Sequence, residues 1–196
     1  MSAIALADPV LESQAAFRAI LRAMASPGSI VACGGEVQPP APLHPATAAA
    51  ILTLADFETP LWIAPSLSAN AEVVAYLKFH TGAPIATAPG EAAFALLDLE
   101  ADALDLESFS QGAPEYPDRS TTVAAQARSL GRGEAFRILG PGVRGEAEFS
   151  FEPRPPDFIA QWRTNESAFP LGVDLILAAG SEIAALPRTA RIIGGG

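Results

Sequence analysis

Residues 169–189 hold the most restrictive pattern in the chain. Val173-Asp174-Leu175-Ile176-Leu177-Ala178 and Ile183-Ala184-Ala185-Leu186 are apolar runs on either side of Gly180-Ser181, which is the signature of a β-hairpin. In the first run Val173, Leu175 and Leu177 fall on one face, and Ile176 and Ala178 on the other. A strand wet on one side would alternate with polar residues, so this one is expected to be covered on both. Asp174 is the one charge inside it, and the register decides what it meets. A three-residue turn, Gly180-Ser181-Glu182, sets Ala179 opposite Ile183, Ile176 opposite Leu186 and Asp174 opposite Arg188, so that two opposite charges meet. A four-residue loop sets Asp174 opposite Pro187 and turns Arg188 to the other face. The first register leaves no buried charge alone and is the expected one.

The remainder reads as alternating helices and strands. A helix over 10–25 has Phe17, Ile20, Leu21 and Met24 at helical spacing, with Asp8 and Pro9 opening it and Ser26-Pro27-Gly28 closing it. A short strand over 29–33 and a proline loop over 38–45 lead to a second helix, 46–55, and a strand, 60–64. Asn70 caps a third helix that stops at Phe79-His80-Thr81-Gly82, and a strand over 84–87 follows. That order predicts an α/β layered fold over one domain, 1–196. Further on come a strand over 94–99, an acidic helix over 103–110, a loop over 112–118, and strands over 121–127, 135–139 and 147–151. These last three are close enough in sequence to be expected as antiparallel neighbours. A helix over 157–166 precedes the hairpin, the sheet is mixed, and 194–196 is a frayed tail.

The net charge of −10 argues against nucleic acid or an anionic membrane as partner. Residues 91–118 carry eight acids and no base, whereas 119–196 carry nine arginines against eight acids. An anion would find concentrated positive charge only in that last third. With 49% hydrophobic and 17% charged residues, the chain either exposes apolar area for a partner or packs a compact, alanine-rich core. Cys33 is alone, so there is neither an internal disulfide nor a cysteine zinc site. No run reaches the roughly 18 apolar residues of a membrane helix, no signal peptide is seen, and a cytoplasmic location is expected.

Catalytic groups are scarce. His44 lies in the proline loop and is expected to be exposed. His80, where a helix ends, is expected to donate to free carbonyls. No nucleophile elbow, His-x-x-x-His pair or Walker loop is present. Gly131-Arg132-Gly133 and Gly140-Pro141-Gly142 open no helix and read as turns. A pyridoxal-phosphate enzyme needs a Schiff-base lysine. The single lysine, Lys78, sits on the third helix and is expected to snorkel to water.

Five segments in order carry a family resemblance: 17–28 (FRAILRAMASPG), 52–56 (LTLAD) before 59–62 (TPLW), 79–84 (FHTGAP), 169–177 (FPLGVDLIL) and Pro187-Arg188-Thr189. Over about 10–190 the chain resembles the PhnH family, the H subunit of the carbon–phosphorus lyase machinery of bacterial phosphonate breakdown. The resemblance implies a three-layer α/β/α sandwich with a mixed sheet, similar to pyridoxal-phosphate transferases but without cofactor. It implies homodimers in isolation, and the G, I and J subunits as partners in a core complex that makes alpha-D-ribose 1-methylphosphonate 5-triphosphate. It carries over no catalytic residue.

Two functions remain open at this stage. One is a non-catalytic subunit of that complex. The other is a stand-alone enzyme or binder of a small phosphonate or nucleotide anion, using arginines of the last third. Arg188, Asp174, His80 and Arg119 are the candidate anion or partner contacts.

Overall fold

The computed structural model describes residues 9–194, so Asp8, Gly195 and Gly196 lie outside the described residues. In chain order the helices are α1 (Pro9–Ala25), α2 (Pro45–Leu54), α3 (Pro65–Ser68), α4 (Ala71–Thr81) and α5 (Phe158–Ser167). The strands are β1 (Val31–Ala32), β2 (Leu61–Ile63), β3 (Phe94–Asp98), β4 (Gln111–Ala113), β5 (Tyr116–Ser120), β6 (Thr122–Gln126) and β7 (Ser129–Leu130). They continue with β8 (Phe136–Leu139), β9 (Ala147–Phe149), β10 (Phe151–Glu152), β11 (Asp174–Ala179), β12 (Glu182–Leu186) and β13 (Arg191–Ile193). Six of them form one mixed sheet in the order β1-β12-β11-β6-β3-β2. β2, β3, β6 and β11 run parallel, and β12 runs against both of its neighbours.

Alternation along the strands sends two sets of side chains to two cores. Leu96, Ala124, Ile176, Ala178 and Ile183 join Ile20, Ile51 and Leu77 of α1, α2 and α4. Leu97, Val123, Leu175, Leu177 and Leu186 join Phe136, Phe151, Phe158 and Trp162 on the other face. β11 is therefore covered on both sides, as its pattern requires. Its entry is built by α5. The buried Asn165 amide accepts from Val173 N–H at 2.8 Å and donates to Val173 C=O at 3.0 Å, replacing a missing strand neighbour. Gly172 has φ +110°, and a Cβ there would lie 2.9 Å from the Asn165 amide oxygen, so only glycine fits.

Several expectations need correction. In α1 the buried positions are Ala16, Ala19, Ile20 and Ala23, while Phe17 and Leu21 are exposed and Met24 is partly buried. The helix turns its small residues inward, which permits close approach to α2 and β12. The span 84–87 supplies one bridge, Ile85 to Leu61, rather than a strand. Over 103–110 only Leu106–Ser108 makes a single 3₁₀ turn. The Gln161 side chain takes the backbone bonds of that stretch, accepting from Leu106 N–H at 2.9 Å and donating to Leu104 C=O at 2.8 Å. The loop over 112–118 belongs to the hairpin β4–β5. β8 and β9 are antiparallel neighbours, but β6 lies parallel between β3 and β11, and β13, which pairs with β8, was not foreseen.

The hairpin register also differs. Ala179 faces Glu182, Ala178 faces Ile183 and Leu175 faces Leu186, so the turn is the two residues Gly180-Ser181, with Gly180 at φ +56°. Asp174 and Arg188 are thus not ladder partners, yet the ion pair forms. β12 stops at Leu186, and Ala190 N–H closes a turn on Pro187 C=O at 2.7 Å, which releases Arg188 from strand alternation. Arg188 then reaches Asp174 with its backbone N–H (2.8 Å to Oδ1), Nε (3.2 Å to Oδ1) and Nη2 (2.5 Å to Oδ2). Both side chains are mostly buried.

Two outcomes are expected. Denaturant unfolding of Asp174→Asn and Arg188→Met should each show a loss of about 3 kcal/mol, because each leaves a buried charge unmatched. The double variant should lose less than the sum; full additivity would show that the pair is not coupled. Cys33, packed between α1 and α2, has its thiol pushed by burial from 9.0 up to about 11. The unfolded thiol ionises first. The stability this thiol contributes is therefore complete below pH 9 and falls as the pH rises towards 11. In native protein at pH 8 a thiol reagent should react with Cys33 only slowly, and in urea rapidly. Fast labelling of the native chain would contradict the burial.

Candidate functional site

Three of the four candidate contacts meet at the amino-terminal edge of β6 and β11. Beyond Asp174, Arg188 donates from Nη2 to Ser120 Oγ at 2.5 Å and from Nη1 to Pro117 C=O at 2.8 Å and Pro170 C=O at 3.5 Å. The guanidinium therefore clamps the β4–β5 hairpin and the Pro170 turn onto the mouth of β11, and every one of its nitrogens has a protein acceptor. Arg119 rides on the same hairpin and stacks over the Tyr116 ring at 4.1 Å to the centroid, exposed to water.

His80 stands on α4, away from that group. Its ring packs edge-on against Tyr76 (4.7 Å) and Phe79 (4.9 Å), and the partial burial lowers its pKa from the usual histidine value of 6.5. It does not donate to the free carbonyls of the helix end. Gly82, left-handed at φ +70°, donates its N–H to Lys78 C=O at 2.9 Å, and Thr81 Oγ1 donates to Leu77 C=O at 2.7 Å. Beside His80, Phe79 is 84% exposed, and Phe57, which packs by Gly82, is 73% exposed. Lys78 is exposed on α4, as expected. His44 is half-buried rather than exposed. Its backbone N–H donates to Gln126 Oε1 at 2.6 Å, and Gln126, fully buried at the end of β6, donates to Pro42 C=O at 3.3 Å. The Gln126 amide thus ties the proline loop to the sheet.

Besides Arg188, three of the nine arginines of the last third pair with neighbouring carboxylates. Arg128 pairs with Glu100 and Arg154 with Glu134, each at 2.5 Å, and Arg137 pairs with Glu146 at 2.8 Å. Arg128, Arg154 and Arg163 nevertheless line one cleft of about 740 Å³, together with Glu134 and Glu152. Sequence reading did not single this cleft out, because Pro153, Pro155 and Pro156 around Arg154 look like a mere connection. Both glycine-rich loops are turns, as expected. Among the described residues no cluster of His, Cys, Asp and Glu is suited to a metal, and no helix is long and apolar enough to cross a membrane.

Comparison with known proteins gives this geometry a context. The family model described as bacterial phosphonate metabolism protein (PhnH) matches residues 4–193. The alpha-D-ribose 1-methylphosphonate 5-triphosphate synthase subunit PhnH of Rhizobium meliloti (strain 1021) is 37% identical over 188 residues, which are 96% of this chain and 94% of that protein. The putative C-P lyase subunit protein HtxG of Stutzerimonas stutzeri is 38% identical over 81 residues, 41% of this chain and 42% of that protein. On the match over residues 4–193 and the near full-length relative, the chain belongs to the PhnH family of bacterial phosphonate metabolism proteins.

Proposed function

We propose that this chain is a non-catalytic subunit of the carbon–phosphorus lyase core complex, the assembly that makes alpha-D-ribose 1-methylphosphonate 5-triphosphate. The observation that carries the reading is the near full-length match to a relative whose name is that of a synthase subunit. The side chains support it. Arg188, the strongest candidate for holding an anion at the amino-terminal edge, has all its donors satisfied within the chain. In this reading the G, I and J subunits are the partners, the isolated chain is a homodimer, and the setting is the cytoplasm. The fold is a three-layer α/β/α sandwich like that of pyridoxal-phosphate transferases. In support, α1, α2 and α4 cover one face of the sheet and α5 the other, and Lys78 is exposed on α4 rather than held in a pocket.

The exposed aromatics beside His80 offer the partner surface. Phe57 and Phe79 present apolar area that a lone soluble chain gains nothing by exposing, and aromatic anchors dominate interface energies.

Co-expression with the G, I and J subunits, followed by affinity purification on a tag placed on this chain, should recover all four. Elution of this chain alone would overturn the reading. Phe79→Ser, on an exposed position, should leave the melting temperature nearly unchanged while weakening that recovery by about tenfold. Sedimentation of the isolated chain should give a dimer at micromolar concentration that added salt does not dissociate; a salt-labile dimer or a monomer would count against an apolar interface.

A further inference from the structure

At the opposite end of the sheet the arginines are only partly used. Arg128 stands two residues past the end of β6, Arg154 follows β10, and Arg163 lies on α5, and they share the 740 Å³ cleft. An adjoining hollow of about 500 Å³ shares Arg128 and Glu152 and reaches Ala179, where β11 ends. This is the carboxyl edge of the parallel strands, where departing loops leave a crevice and where ligands of open α/β sheets bind.

Arg154 is the informative residue. Its side chain is only 15% exposed, and the Phe136 ring lies 5.9 Å from its guanidinium carbon. Nη2 donates to Glu134, whereas Nη1 is buried and has no acceptor. A buried cationic N–H without an acceptor is a standing cost, which the guanidinium would shed on turning into the cleft toward an anion. Arg163 is exposed and makes no side-chain hydrogen bond or ion pair among the described residues. Arg128 gives Nε and Nη2 to Glu100, which leaves Nη1 unused.

We infer that this cleft binds the phosphoryl or phosphonyl group of a small organic molecule, with the Arg163 guanidinium and, once Glu134 is displaced, the Arg154 guanidinium as its donors. A tetrahedral anion offers several oxygens to guanidinium forks, and the cleft volume is that of a small-molecule site. The bare anion would leave most of it unfilled, and Pro153, Pro156 and Ile159 supply an apolar wall for the organic part. Glu134, 67% exposed on its side chain, is the present partner of Arg154 and hence the competitor of the ligand. The inference does not depend on assembly with other subunits.

Phosphorus-31 NMR of the full chain at low salt, with inorganic phosphate, methylphosphonate and AMP as separate probes, tests it. At least one probe should broaden on addition of protein. Arg163→Gln, at an exposed position that leaves the fold intact, should weaken binding by about tenfold or more. Glu134→Gln should tighten it several-fold by removing the competitor. Tighter binding of AMP assigns a nucleotide as the source, tighter binding of methylphosphonate a phosphonate, and equal binding a site that reads the shared group alone. No broadening with any probe, or binding indifferent to both substitutions, overturns the inference.

Discussion

β11 is held by parallel pairing to β6 on one side and antiparallel pairing to β12 on the other, with a core against each face. A strand so enclosed has no wet side, so its first residue, Asp174, brings a carboxylate to the edge of a region where an unmatched charge is costly. Arg188 is the answer, and its length is the reason for much of the surrounding structure. To reach Asp174 the chain must leave β12 at once and turn. In doing so the guanidinium meets Pro117, Ser120 and Pro170, and so fastens a hairpin and a turn that have little core of their own. One charge compensation thereby organises three separate segments.

The two cores differ in kind. Against α1, α2 and α4 the lining is dominated by alanine: Ala46, Ala48, Ala49 and Ala50 of α2 are all buried, and α2 packs against both α1 and α4 while touching β6 and β11. Small side chains allow that close approach but bury little area each. The other core is aromatic, with Phe136, Phe149, Phe151 and Phe158 meeting mostly edge to face and Trp162 donating its indole N–H to Ala190 C=O at 2.9 Å. The large residues that α1 does not need inside, Phe17 and Leu21, end up on its outer face. An alanine-rich helix thus explains both the high hydrophobic fraction and the apolar surface, which composition alone left as alternatives.

What was legible in the sequence was whatever is decided locally. Asn70 accepts from Glu72 N–H at 2.9 Å and opens α4, Gly82 closes it, and Gly180-Ser181 turns the hairpin. What was illegible is decided by distant partners. Residues 103–110 have helical spacing, but Gln161 of α5 supplies the hydrogen bonds that a helix would have supplied. β4 and β5 contain Gly112, Pro117 and Asp118, poor strand formers, and are held by Arg188 and by Thr121 N–H on Ser110 C=O at 2.8 Å. The Asp174–Arg188 pair was legible for a different reason than the one that makes it. Opposite charges on adjoining segments have to meet, but a turn beyond the strand brings them together rather than ladder register.

The same residue type does opposite things at the two ends of the sheet, and accessible acceptors decide which. At the amino-terminal edge Arg188 finds a carboxylate, a hydroxyl and two carbonyls already fixed by the backbone around it, so its charge is spent on holding the fold. At the carboxyl edge β6 and β11 end in loops, and Arg154 finds one flexible carboxylate from a side chain open to water. Its second terminal nitrogen is buried without an acceptor, and Arg163 on the same cleft has no partner among the described residues. A carboxylate tied down on an exposed side chain contributes little, since it exchanges hydration and rotamer freedom for the contact. The carboxyl edge is therefore the place where an incoming anion displaces a weak internal partner, whereas at the amino-terminal edge it would have to break a buried one.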